Sequence, residues 1–124
     1  MRAFGSRIGL AFQLLDDVLD VEGPPERTGK ARGTDLLDGT VTLPWIQARQ
    51  RDAALHQVDL RKLDVAGAEE VCDRIAATGA TAEVRTRALA MVDEAKSDLA
   101  SAPLPAQRRS LLELVADGVV ERYS

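Results

Sequence analysis

Between Thr81 and Ala100 the apolar side chains Val84, Ala88, Met91, Val92, Ala95 and Leu99 recur at i, i+4, i+7, i+8, i+11 and i+15. That rhythm places them on one stripe of an α-helix and does not fit the two-residue alternation of a strand. The same periodicity runs through most of the 124 residues. It predicts further helices over about 3–21, from Thr42 to about His56, over Ala68–Thr78 and over about 106–122. No segment alternates like a strand, and there is no internal repeat or low-complexity tract. The expected fold class is all-α, as one helical segment over 1–124. A chain of this length has room for one domain with a modest core.

Turn residues set the expected boundaries. Gly23-Pro24-Pro25 ends the first helix, and residues 23–41 form a loop rich in Gly, Pro, Thr and charge, with one helical turn near Asp35–Leu37. Thr42-Leu43-Pro44 is a helix start, because a hydroxyl just ahead of a first-turn proline is a favoured order. Residues 57–67 are a weakly structured connection. Gly79 is a C-cap candidate, and Ala102-Pro103-Leu104-Pro105 breaks the long helix before the last one, which carries Leu111, Leu112, Leu114, Val115, Val119 and Val120.

Composition narrows the partners. The net charge is −4, and no basic block marks a nucleic-acid or anionic-membrane surface. Aromatic residues make up 3%, too few for base-stacking platforms. No apolar run approaches the ~20 residues of a membrane span, and the N-terminus has no signal-peptide core. The single cysteine, Cys72, fits a reduced cytoplasmic setting and a buried apolar role. His56 is expected at an exposed helix end and Trp45 in the core. No Ser/His/Asp or Cys/His set can be assembled.

The first helix carries the chemistry. Asp16-Asp17-Val18-Leu19-Asp20 sets three carboxylates inside an otherwise apolar segment. On a helix Gln13, Asp16, Asp17 and Asp20 share an arc of roughly 100°, together with Ser6 and Gly9. Like charges one turn apart weaken a helix, and no Lys or Arg lies within a turn to offset them. Carboxylates without His or Cys suit a hard cation such as Mg²⁺ that shares its shell with substrate phosphates. A solvated acidic face fits the spacing equally well. In the following loop, Thr28-Gly29-Lys30-Ala31-Arg32-Gly33-Thr34-Asp35 flanks a lysine with glycines. Such a lysine is a mobile charge suited to phosphate, although the spacing is not that of a P-loop.

Phe12-Gln13-Leu14-Leu15-Asp16-Asp17-Val18-Leu19-Asp20, then Gly29-Lys30, Gly33-Thr34-Asp35-Leu36, Gly39 and Thr42-Leu43-Pro44, resembles the second aspartate-rich motif of the trans-polyprenyl (isoprenyl) diphosphate synthases and the segment behind it. The alanine-rich helix through Ala88 and Ala95 and the closing Leu-rich helix resemble the C-terminal end of that family. The resemblance implies the C-terminal portion of an isoprenoid-synthase-type helical bundle. It implies Mg²⁺-dependent condensation of isopentenyl diphosphate with an allylic diphosphate in isoprenoid biosynthesis, and a homo-oligomer or a complex with a synthase subunit. By position, it makes Asp16 the main Mg²⁺ ligand, with Asp17 and Asp20 as direct or water-mediated support. It gives Lys30 a contact to the allylic diphosphate and sets Phe12 and Gln13 beside the prenyl acceptor.

Two departures follow. Thr40 stands after Gly39 where the family often has lysine, which leaves Arg32 as a substitute phosphate contact. The family's first aspartate-rich motif has no counterpart in these residues, so the isolated chain is expected to be inactive. The alternative is a non-catalytic helical partner or regulatory subunit of a full-length synthase.

Overall fold

The computed structural model describes residues 2–23 and 32–122, with side chains over 4–23 and 32–121. Lys30 lies outside the described residues. The first helix, α1, spans Arg2–Glu22. A single turn, α2, covers Thr34–Leu37, and α3 covers Leu43–Arg51. Two 3₁₀ turns, Ala53–Gln57 and Leu60–Lys62, lead into α4, Val65–Ala77. The long α5 is Ala80–Ser101, and α6 is Ala106–Arg122. Among the described residues there is no strand.

Capping chemistry explains where the boundaries depart from the periodicity. The third helix stops at Arg51, short of His56, because Asp52 is extended at φ −127° and ψ 106°. Its carboxylate then accepts the Ala54 N–H at 3.0 Å and starts a separate 3₁₀ turn. Arg74 of α4 clamps the same carboxylate with two bonds of 3.1 Å. In α4 the helix begins at Val65, ahead of Ala68, because Asp64 caps it by accepting the Gly67 N–H at 2.7 Å. Gly79 joins α4 to α5 at φ 81°, the left-handed region that glycine enters without strain.

Helix α1 packs chiefly on α5. Phe4, Ile8, Ala11, Leu14, Leu15 and Val18 meet Val84, Ala88, Val92, Ala95 and Leu99, and Ala116 and Val119 of α6 close the cluster. The α5 stripe is the one its periodicity marks, with Met91 at its edge. A second cluster joins Val21, Leu36, Trp45, Ala48, Leu55, Val71, Cys72, Ile75 and Ala80. Trp45 is thus core, with the Arg49 guanidinium 5.5 Å from its ring centre. His56 is exposed.

The last helix departs from its sequence pattern. Leu111, Leu114 and Val115 are more than half exposed, at 57%, 66% and 53%, so α6 shows apolar side chains on two sides. On α1, Leu10 is also half-exposed rather than inward.

Candidate metal and diphosphate site

The exposed side of α1 is the acidic side. Gln13 and Asp16 face outward with Ser6 and Gly9, as the helical projection requires, and Phe12, outside that arc, is exposed as well. Burial then separates the acids: Asp16 is exposed, Asp17 is 9% exposed and Asp20 is 4% exposed. Gln13 Nε2 donates to Asp17 Oδ1 at 3.2 Å, one turn along the helix. Phe12 presents its ring at the margin of the same face, 36% exposed.

Electrostatics mark Asp17. Burial pushes its carboxyl above the ordinary value, and the Gln13 hydrogen bond partly opposes this. The charges that bear on it are the carboxylates of Asp35, Asp16 and Asp20, and all three raise it further. Among the described residues the ligand atoms are carboxylate oxygens and the charges bearing on Asp17 are negative, so the set fits a hard divalent cation. Among the described residues, however, no group of three or more His, Cys, Asp or Glu closes around a point that would hold a metal ion. A cation held by these acids would need other oxygens, from water or a ligand, to complete its shell.

The returning loop brings in Asp35, which local spacing does not reveal. Asp20 Oδ2 accepts the Asp35 N–H at 3.2 Å, and the Asp20 carbonyl accepts the Gly33 N–H at 2.9 Å. Just before it, Gly23 N–H donates to the Leu19 carbonyl at 2.7 Å. Gly33 has φ 79°, and a Cβ there would meet Ala68 Cβ at 3.1 Å and Cys72 Sγ at 3.2 Å. Only glycine passes through that position without strain.

Arg32, the candidate substitute for the missing lysine, is engaged within the fold. Its guanidinium donates to Asp73 Oδ1 at 3.0 Å and to the Glu69 carbonyl at 3.2 Å, which ties the loop's return to α4. The C-terminal end of α1 is fixed as well. Glu22 accepts from Thr81 Oγ1 and from Arg85 at 3.0 Å, both on α5. A hollow of about 530 Å³ is lined by Leu10, Leu14, Leu43, Arg87, Met91 and Glu94, and none of the aspartates lines it.

A polyprenyl synthetase family model matches residues 1–77. The chain is 34% identical to a prenyl transferase of Synechocystis sp. over 90% of its own length and 35% of that protein. It is 32% identical to solanesyl diphosphate synthase 1, chloroplastic, of Arabidopsis thaliana over 93% of its own length and 29% of that protein. It thus spans about a third of the length of these relatives. Among solved structures it superposes on the polyprenyl synthase of Caulobacter crescentus CB15, complexed with calcium and isoprenyl diphosphate. That match has a TM-score of 0.78 and 33% identity, and covers 99% of this chain and 39% of the other. With the aspartate helix and its returning loop inside the matched span and the helical bundle shared, the chain belongs to the polyprenyl synthetase family.

Proposed function

We propose that this chain is the C-terminal part of a synthase domain that carries out Mg²⁺-dependent prenyl transfer in the cytoplasm, extending an allylic diphosphate with isopentenyl diphosphate. Family membership and the carboxylates of Asp16, Asp20 and Asp35 around Asp17 support the reading. Asp16 is the exposed acid and the leading Mg²⁺ ligand, with Asp17 beside it and Asp20 behind. When bound, Mg²⁺ supplies charge neutralisation at the diphosphate oxygens, where negative charge grows as the allylic C–O bond breaks. Lys30 adds a cation toward the same oxygens. Phe12 and Gln13 flank the acceptor on the outward side of α1, where both side chains are exposed.

The acids form one side of a shell, so weak binding without turnover is expected of the isolated chain. Calorimetry with geranyl diphosphate should show Mg²⁺-dependent binding that Asp16→Ala removes, and labelled isopentenyl diphosphate should not be incorporated. Binding that survives both EDTA and Asp16→Ala would refute the assignment.

The exposed Leu111, Leu114 and Val115 on α6 favour a second reading, a helical subunit that docks on a full-length synthase. Co-elution with such a synthase, lost on Leu114→Glu, would select it.

A further inference from the structure

One turn separates Asp16 from Asp20, yet the two carboxylates have different surroundings. Asp16 is exposed, whereas Asp20 is 4% exposed and turned toward the returning loop. Both the main chain and the side chain of Asp20 hold that loop: its carbonyl takes the Gly33 N–H and its Oδ2 takes the Asp35 N–H.

Helix α2 explains the need. Its four residues follow Gly33 at the N-cap, which has no side chain to satisfy the first backbone N–H groups. A Ser or Asp at that cap would normally do so. Here the left-handed backbone and the approach to Ala68 and Cys72 exclude any side chain. The cap is supplied instead from another helix, by the carboxylate of Asp20.

We infer that Asp20 is a positioning residue, which caps α2 across the fold and thereby sets the Asp35 carboxylate beside Asp17, rather than a direct ligand of the metal. Three other contacts hold the same turn. Leu36 is buried against the second core, Arg32 is tied to Asp73 and the Glu69 carbonyl, and Gly33 is seated on α4. Asp20 supplies the polar link from this assembly to α1, beside the apolar packing of Val21 in the cluster that holds Leu36. Its role in binding rests on the prenyl-diphosphate reading, but the cap itself does not.

The test compares Asp20→Asn, which keeps an acceptor oxygen, with Asp20→Ala, which removes it. Amide hydrogen exchange at Asp35, followed by NMR on the whole chain, reads the cap. Asp20→Asn should stay within about threefold of wild type and Asp20→Ala should exchange at least about tenfold faster. Affinity for inorganic diphosphate with Mg²⁺ reads the consequence. Asp20→Asn should bind about tenfold tighter than Asp20→Ala, a rescue that a lost metal ligand would not show. Equal loss of affinity in both variants, with Asp35 exchange unchanged in either, would overturn the inference. If Asp20→Ala does not fold, normal Asp35 exchange together with an affinity for Asp20→Asn as low as that of Asp16→Asn overturns it equally. If the wild-type chain binds no Mg²⁺–diphosphate, the functional reading fails, and the exchange data still decide the cap.

Discussion

Gln13 and Asp17 face each other across one turn of α1, with the amide nitrogen of Gln13 3.2 Å from a carboxylate oxygen of Asp17. This neutral donor does not cancel the effects of burial and of the neighbouring acids, so the Asp17 carboxyl stays above its ordinary value of 3.8. The folded chain therefore holds that proton more tightly than the unfolded chain. Stability is undiminished below the ordinary value and declines as pH rises through the raised one. Asp17→Asn removes the decline. Thermal unfolding should show the variant above wild type at about pH 7 and level with it at about pH 3, and added Mg²⁺ should narrow the gap at the higher pH.

Gly33→Ala is expected to damage both stability and binding. The left-handed backbone, together with the approach to Ala68 and Cys72, should cost about 1–3 kcal/mol in urea denaturation. The same substitution displaces the turn that carries Asp35, so Mg²⁺-dependent diphosphate affinity should fall with it.

Leu15 and Leu10 lie on the same helix with opposite surroundings, 1% and 52% exposed. Leu15→Ala should cost about 2–5 kcal/mol, because it opens a cavity between α1 and α5. Leu10→Ala should stay within about 0.5 kcal/mol in the same denaturation series.

Cys72 is buried, and desolvation is the largest cause of a thiol pKa pushed up to about 11 from 9.0. At mildly alkaline pH that leaves about a hundredfold less thiolate than an ordinary cysteine has. A disulfide reagent such as DTNB should leave the native chain unmodified and titrate one thiol after denaturation.

Much of this was legible in the residues. The α5 stripe and the outward arc of Gln13 and Asp16 follow from helical periodicity alone, because each depends on spacing within one element. What escaped depends on contacts between elements. Asp35 is fifteen positions from Asp20, and only the path of the returning loop brings its N–H to that carboxylate. Arg32 looks like a spare cation in the sequence, but Asp73 of α4 occupies it. Asp52 and Asp64 are caps whose short side chains redirect the backbone, and apolar periodicity carries no record of them. The outward leucines of α6 follow a helical rhythm as well as inward ones do, so the pattern cannot say which side is covered.

The carbonyls of Leu19 and Asp20 are neighbours in the chain, and they receive the amides of Gly23 and Gly33 respectively. Departure and return are thus pinned one residue apart at the end of α1. The register of the aspartate helix against the turn that carries Asp35 is held by main-chain bonds as well as by the Asp20 carboxylate, so it does not hang on any one side chain.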